Sequence, residues 1–358
     1  MSERRNLPPV ETIPPQDGRN IDPQLATLTG EGAQQRIERV DAPPHGNHPA
    51  TRDTEGTYYG VPMLKEPVWK WYVPAYFWVG GLAGASAAAG AAAQVLDRDG
   101  MEGLWRPSRA IAAGGGVASA ALLIADLGRP ARFINMLRVF RPSSPMNMGT
   151  WILSGFGACA IAAAAPFLPR RARDVAGIGS GIFGVPLTSY TGVLLVGTAV
   201  PLWQGARRTL PVLFSASGAA AAASAFDLLP ARDRGAAAMH RVGMVAKITE
   251  LALTVALEAE VARAPRVAIP LRTGLSGALW RAAQGMTAAS LGLSLLKRHR
   301  AAGALGAAGS LLLRFALLSA GRRSARDPRA ASAQQRARQV PTTMTDPLSS
   351  SAHREAHR

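Results

Sequence analysis

The sequence contains a single cysteine and few histidines, and these two shortages exclude most redox centres. Cys159 stands in the middle of an apolar run. The chain can therefore form no internal disulfide, no iron–sulfur cluster of its own and no c-type haem attachment. Of the six histidines only His240 approaches an apolar run, which argues against a haem held by two histidines inside a helical bundle. We predict no metal and no haem in this chain, so any electrons must pass through a dissociable carrier and the centres of a partner.

Lysine is also scarce, although the chain is strongly basic. The formal net charge is +17 over 358 residues, yet only four of the 40 basic residues are lysines. The arginines stand mostly in short connections between long apolar runs, where basic residues anchor membrane topology. We therefore expect contact with membrane lipid and not with nucleic acid.

Long apolar blocks predict the fold class. Apolar residues make up 48% of the chain and are concentrated in blocks of about 18 or more residues, as bilayer spans require. We predict an all-α integral membrane protein with eight transmembrane helices, arranged as two four-helix bundles. The predicted spans cover 71–94, 109–127, 148–168, 176–202, 209–229, 241–261, 271–296 and 301–320. The predicted domains are a disordered tail over 1–57, a first bundle over 58–202, a second bundle over 203–330 and a disordered tail over 331–358.

The aromatic residues are distributed unevenly between the two faces of the predicted membrane protein. Eight spans place both termini on one face, and the tyrosines and six of the seven tryptophans lie on or near that face, with only Trp105 opposite. An ordinary aromatic belt at headgroup depth is one explanation. A partner or ligand site on that face is the alternative that the asymmetry favours.

The connection after the second span carries the densest set of unusual residues. It reads DLGRPARFINMLRVFRPSSPMNMGTW from Asp126 to Trp151 and contains four arginines. The planar donor forks of arginine suit carboxylates on an acidic partner surface. We predict that the partner docks on Arg132, Arg138, Arg141 and Asn147.

Two polar residues in the apolar runs are candidates for a ligand site. Asp126 ends the second run beside Arg129. It either forms a salt bridge that shapes the loop, or acts as the catalytic base that accepts a proton from a bound quinol. Tyr190, in the SYTG motif of the fourth run, needs a partner for its hydroxyl, and a quinone carbonyl would provide one. The predicted quinone-binding residues are Asp126, Tyr190, Tyr76, Arg129 and Trp151.

The sixth run carries a polar stripe. At 100° per residue, one helix face holds His240, Lys247, Glu250, Thr254 and Glu258 within an arc of about 80°. At about 1.5 Å per residue the stripe is roughly 27 Å long, close to the thickness of the hydrocarbon layer. It is either a neutral seam, in which Lys247 offsets Glu250 and Arg281 or Arg314 partners Glu258, or a path for protons or ions.

Four stretches of the sequence together resemble a known family. PVWKWYVPAYFWVGGLAG, the loop from DLGRP to GTW, YTGVLL and LLLRFALLSAGRRSARDP occur in the order found in polysulfide reductase membrane subunits of the NrfD type. The resemblance covers about residues 58–330. It implies an eight-helix quinone-reactive anchor that pairs with a four-cluster iron–sulfur subunit and, usually, a molybdopterin catalytic subunit.

The resemblance also implies where the quinone binds. In that family the headgroup sits in the first bundle, against an acid of the second helix and a tyrosine of the fourth, and Asp126 and Tyr190 match these positions by motif. Aspartate stands here where some relatives carry glutamate, which shortens the reach of the carboxyl group to the ring. Menaquinone or ubiquinone would then be a dissociable substrate.

These observations support two classes of function. The first is the membrane anchor of a multi-subunit oxidoreductase, exchanging electrons between quinone or quinol and an iron–sulfur partner, in the inner membrane of a bacterial cell and in anaerobic or alternative respiration. The second is a stand-alone secondary transporter or proton-translocating membrane protein, which the polar stripe favours. The lack of an internal repeat and of paired broken helices argues against a transporter.

Overall fold

The computed structural model describes residues 20–22, 27–29, 64, 66–128, 130–230, 233–331 and 333. The chain divides into two units, Met1–Tyr58 and Tyr59–Arg358. In the first unit β1 (Asn20–Asp22) pairs antiparallel with β2 (Thr27–Thr29), with Ile21 opposite Leu28. The prediction of a disordered tail over 1–57 covers this pair of strands, and the rest of that range lies outside the described residues.

The second unit is helical wherever the structure describes regular secondary structure. Its helices are α1 (Tyr72–Leu96), α2 (Glu102–Leu127), α3 (Pro130–Leu137), α4 (Pro145–Ala164), α5 (Arg170–Val196), α6 (Pro201–Gly205), α7 (Thr209–Asp227), α8 (Arg234–Ala262), α9 (Pro265–Arg272), α10 (Gly274–Leu295) and α11 (His299–Arg326). Each predicted span coincides with one long helix, and α3, α6 and α9 lie in connections between long helices.

Local chemistry explains where several helices begin and end. Gly128 adopts a left-handed conformation with φ 70° and ends α2, because glycine tolerates this backbone without steric cost. The Ser144 side chain caps α4 and Pro145 occupies its first turn. Pro201 opens the separate helix α6, so the fourth long helix ends at Val196 and not at 202. The residue before a proline is disfavoured in helical conformation, which accounts for the break.

Six helices in the described part of the chain are long and apolar enough to cross a membrane, namely α1, α2, α4, α5, α7 and α11. Helices α8 and α10 have the length, with 29 and 22 residues, but not the apolar composition. Helix α8 carries Lys247, Glu250 and Glu258, and α10 carries Arg281 and Gln284. The predicted spans at 241–261 and 271–296 are therefore helices of mixed polarity.

Contacts divide the long helices into two sets. In the first set, α1 and α4 each pack on both α2 and α5. In the second set, α7 and α10 each pack on both α8 and α11. The sets meet where α7 lies against α1 and α5. Close approach depends on small residues: a methyl group at Gly84 would lie 2.6 Å from the Gly184 carbonyl oxygen. Such contacts stabilise helix association in lipid, where the hydrophobic effect between helices is absent.

Connections α3, α6 and α9 lie at one end of these helices, which we call the α3 end. At the opposite end, Asp174 of α5 binds Arg98 at 2.8 Å and Arg109 of α2 at 2.7 Å. The hydrogen bond that Arg98 donates to Asp174 raises the pKa of Arg98 above its usual range. Trp105 lies beneath both guanidinium groups and donates to the Arg98 carbonyl at 2.9 Å. This cluster joins the connection between α1 and α2 to α2 and α5, far from the predicted ligand site.

Candidate functional site

The connection between α2 and α4 is an ordered surface centred on Asn147. The Asn147 amide nitrogen donates to the carbonyls of Met136 at 2.6 Å and Val139 at 2.8 Å, and its oxygen accepts from the Arg141 backbone at 2.7 Å. Asn147 is 8% exposed. A docking role for Asn147 stays a prediction, and the contacts place the residue beneath the surface, where it sets the shape of the loop.

The outer side of this connection combines cations with apolar side chains. The loop arginines, by which we mean Arg132, Arg138 and Arg141, are all exposed. Ile134, Val139 and Phe140 are 61%, 51% and 60% exposed beside them. Exposed apolar residues beside cations at the end of membrane helices are suited to contact with a partner protein or with the lipid interface. We call this patch the α3 surface.

Trp151 lies at the edge of the α3 surface. It is 38% exposed and its ring packs edge-on against Phe140, with centroids 5.8 Å apart. The predicted role of Trp151 in quinone binding stays a prediction, and in the structure its ring faces the loop. The rotation of α4 decides this, because Asn147, Gly149 and Thr150 occupy its buried face.

Behind this connection, two tyrosines and a glycine form a layer inside the first helix set. Tyr76 of α1 is 2% exposed and Tyr190 of α5 is 7% exposed. The Tyr190 ring and hydroxyl occupy the space that a side chain at Gly149 would fill. Tyr76 lies near Tyr190. Tyr76 and Gly149 each stand four positions into their helices, about 6 Å below the helix ends at 1.5 Å per residue. We call these three residues the tyrosine layer.

Asp126 lies above the tyrosine layer, next to the last residue of α2. It is partly buried and interacts with the backbone N–H and the ammonium group of Lys70. Arg129, predicted both as its salt-bridge partner and as a quinone ligand, lies outside the described residues. Helices α2 and α5 both pack on α1 and on α4, so Asp126 and Tyr190 approach one interior from opposite sides.

Sequence reasoning missed Ser119, which stands deeper on α2. Its hydroxyl is fully buried and has no hydrogen-bond partner among the described residues. A methyl group at Gly80 would lie 3.5 Å from Ser119 Oγ and 3.8 Å from the Tyr76 ring, so Ser119 faces α1 near Tyr76. A buried hydroxyl without a partner is costly and indicates a position where a bound molecule or water can supply one. Intramembrane polar residues are functional candidates by default, and that rule could have found it.

The polar stripe of α8 faces α7, α10 and α11. Lys247 donates to Ser294 of α10 at 3.1 Å and lies 3.8 Å from Asp227 of α7. His240 meets the same carboxylate at 3.2 Å. These contacts form the part of the stripe that lies away from the α3 end.

The middle of the stripe contains a buried acid and a buried guanidinium. Thr287 of α10 donates to Glu250 at 3.1 Å. Arg314 of α11 interacts electrostatically with Glu250, donates to Ser217 at 2.7 Å, and lies 4.3 Å above the Phe214 ring. Glu250 and Arg314 are each 1% exposed. The opposite charges of Glu250 and Arg314 must offset each other at this depth, since burial of an isolated charge has a large free-energy cost.

The partners inside the stripe differ in part from those predicted. Glu258 accepts from Trp280 at 2.6 Å and from Gln284 at 3.0 Å, in place of the predicted Arg281 or Arg314. Lys247 contacts Asp227 and Ser294. Glu250 interacts electrostatically with Arg314 and also, as predicted, with Lys247. Thr254 is buried and donates to the Leu251 carbonyl one turn back at 2.7 Å. Sequence reasoning overlooked Asp227, although it ends an apolar run just as Asp126 does.

Helices of this length and polarity define a multi-pass integral membrane protein with a basic, partly apolar loop surface above a buried tyrosine layer. A family model described as polysulfide reductase matches residues 55–326. The chain belongs to this family, the NrfD type, which confirms the resemblance drawn from the motifs. A comparison with curated proteins found no match to the chain. Family membership identifies the chain as a membrane anchor of an oxidoreductase.

Proposed function

We propose that this chain exchanges electrons between a membrane quinone and an iron–sulfur subunit docked on the α3 surface. The observation that carries the proposal is the position of the tyrosine layer directly behind that surface, with Asp126 between them at the end of α2. Menaquinone or ubiquinone is the dissociable substrate. The oxidoreductase then takes its metal centres from partners, a four-cluster iron–sulfur subunit and a molybdopterin catalytic subunit.

The proposed architecture has eight membrane-spanning helices in two four-helix bundles, with α8 and α10 crossing alongside the six apolar helices. The charged residues of α8 face neighbouring helices, so lipid need not contact them. Burial against protein is the usual condition under which ionisable side chains stand at membrane depth. Residues 58–202 then hold the quinone site, and residues 203–330 form the second bundle.

Oxidation of a quinol releases two electrons and two protons. The Tyr190 and Tyr76 hydroxyls orient the ring by hydrogen bonds to its oxygens. The Asp126 carboxylate accepts a proton from the quinol hydroxyl and passes it to water at the α3 end, and then accepts the second. Both electrons leave to the nearest cluster of the docked partner. Because each step is reversible, the same residues reduce a quinone when the partner supplies electrons.

The loop arginines and the apolar side chains beside them suit a partner with an acidic rim and an apolar centre. Arginine forks bind carboxylates in a bidentate manner, and Ile134, Val139 and Phe140 supply the apolar contact area. Docking here shortens the electron path, because the tyrosine layer lies only about 6 Å below the helix ends at 1.5 Å per residue.

Two substitutions test the site in the assembled complex. Asp126→Asn keeps the size of the side chain but removes the base, and loss of general-base help usually lowers turnover by about 10² to 10⁴. Tyr190→Phe deletes only a hydroxyl and should weaken quinol binding by about 0.5–1.5 kcal/mol. Asp99→Asn, in the exposed connection at the opposite end, and Tyr72→Phe, in the first turn of α1, are matched controls. Wild-type quinol oxidation in both test variants would show that the site lies elsewhere.

A second candidate function, proton translocation, is favoured by one observation in the second helix set. Glu250 is 1% exposed, and its Oε2 makes no hydrogen bond of normal geometry among the described residues, although the Ser217 hydroxyl lies near the carboxylate. Along α8, Asp227 and Lys247 form the polar contacts at the end away from the α3 end, and Glu258 forms those nearer the α3 end. Glu250 lies between these two groups. Proton uptake measured in proteoliposomes during quinol oxidation tests this candidate, and Glu250→Gln should abolish uptake without slowing oxidation.

A further inference from the structure

Three potential metal ligands meet at the opposite end of the molecule from the tyrosine layer. Asp227 ends α7, His240 stands near the start of α8, and His299 opens α11. One ligand atom can be chosen from each so that all three lie within 4.8 Å of one another. The anchor function proposed above uses none of them as a ligand.

The two imidazoles converge on one carboxylate oxygen. Nδ1 of His240 lies 3.2 Å and Nδ1 of His299 lies 3.9 Å from Oδ1 of Asp227. A tetrahedral zinc ion with bonds of about 2.0–2.2 Å separates its ligand atoms by about 3.3–3.5 Å. The two nitrogen–oxygen distances, 3.2 Å and 3.9 Å, lie on either side of this range. A small rotation of His299, whose side chain is 49% exposed, would equalise the two distances.

The second carboxylate oxygen has a different role. Oδ2 of Asp227 faces the Lys247 ammonium at 3.8 Å, and Lys247 is itself held by Ser294 at 3.1 Å. A metal-bound carboxylate is commonly oriented by a donor on its other oxygen. Lys247 therefore directs Oδ1 toward the two imidazoles and away from the helix interior.

An open cavity adjoins the cluster and leaves room for a fourth ligand. Its volume is about 680 Å³ and its lining includes Asp227, His240 and His299. Asp233, Arg241 and Arg300 also line it. The two arginines are exposed and Asp233 is partly buried, so water screens the arginine charges from the site. Three protein ligands with a fourth position open to water are the usual arrangement of an accessible zinc site.

We propose that Asp227, His240 and His299 form a Zn²⁺ site that joins the ends of α7, α8 and α11. Two imidazoles and one carboxylate form a borderline nitrogen and oxygen donor set, which suits Zn²⁺ and not Mg²⁺ or Ca²⁺. Sequence reasoning predicted no metal because it judged each histidine alone, and His240 and His299 belong to different helices.

The test uses the full chain in lipid nanodiscs with the four other histidines, His45, His48, His353 and His357, replaced by glutamine. Only His240 and His299 then remain as imidazoles. With Zn²⁺ at one equivalent, X-ray absorption should show two imidazole ligands, and the melting temperature should rise as Zn²⁺ is added. A spectrum that fits no imidazole or only one would overturn the proposal, and this measurement needs no variant of the site itself.

Ligand variants provide a second measurement. Loss of an outer partner of a metal ligand already weakens binding by about 10- to 100-fold, so His240→Gln and His299→Gln should each raise the Zn²⁺ dissociation constant by at least that factor. The chain with all six histidines replaced reports binding by lipid headgroups and carboxylates alone. An unchanged dissociation constant in both single variants would refute the site, provided that the metal-free melting temperatures match the parent.

Discussion

Gly149→Ala tests whether the tyrosine layer positions the quinone. The Tyr190 ring and hydroxyl fill the position of the missing side chain, so a methyl group there must displace the ring. The added carbon would lie 1.7 Å from Tyr190 Cζ. Since non-bonded carbon atoms settle about 3.5–4.0 Å apart, the displacement is about 2 Å. Misplacement of a positioning group by about 1 Å can cost 10²-fold in rate. We expect quinol oxidation by the assembled complex to fall by about that factor.

Stability should change much less than turnover. Overpacking costs about 1–3 kcal/mol, and alanine gains about 0.8–1.0 kcal/mol over glycine within a helix. The net loss is therefore about 0–2 kcal/mol, and the complex should still assemble. The assay is steady-state oxidation of a quinol analogue, with partner co-purification measured on the same preparation.

Gly157→Ala is the matched control on the same helix. A methyl group at Gly157 would have no described atom within 4 Å, so the variant should gain helix stability and keep its turnover. Wild-type turnover of Gly149→Ala in an assembled complex would contradict the reasoning. Equal losses in both variants would contradict it too, because they would assign the effect to the helix and not to Tyr190.

The remaining predictions concern the loop, the polar stripe and the opposite end. Replacing the loop arginines together by glutamine should release the partner while the anchor stays folded, and undiminished co-purification would exclude docking on the α3 surface. Glu250→Gln leaves Arg314 without its carboxylate; if the stripe only neutralises charge, the melting temperature should fall while any proton uptake coupled to turnover stays normal. Asp174→Asn should lower stability by about 1–3 kcal/mol, because it weakens charge-assisted bonds to two arginines, but leave quinol oxidation unchanged; a large loss of turnover would link the two ends of the helices.

Much of the fold could be predicted from local properties of the chain. Long apolar blocks locate the six apolar helices, because burial of the backbone and side chains in lipid imposes a minimum length. The runs at α8 and α10 also predicted long helices, although these two are of mixed polarity. Helix ends were less predictable: Pro201 separates α6 from α5, and α2 starts at Glu102 instead of 109. The positions of helix ends depend on proline and on capping contacts, which a hydropathy pattern does not detect.

The candidate site was partly predictable. A carboxylate at the end of an apolar run identifies Asp126, and a tyrosine at membrane depth identifies Tyr190. The opposition of Tyr190 to Gly149 could not be predicted, since it depends on how α4 and α5 rotate against each other. The outward direction of Trp151 has the same origin.

The sequence by itself determined that this protein is helical, lies in a membrane and belongs to the NrfD-type family, because apolar run length and local motifs express these properties. Only the tertiary structure decided which polar groups meet: Glu258 with Trp280, Glu250 with Thr287, and Asp227 with both His240 and His299. The physical reason is that these pairs lie on different helices. Helical periodicity predicts which residues share one face of a helix. Which neighbouring helix that face contacts depends on how the helices pack and rotate against each other, and small-residue contacts such as Gly84 with Gly184 determine this packing.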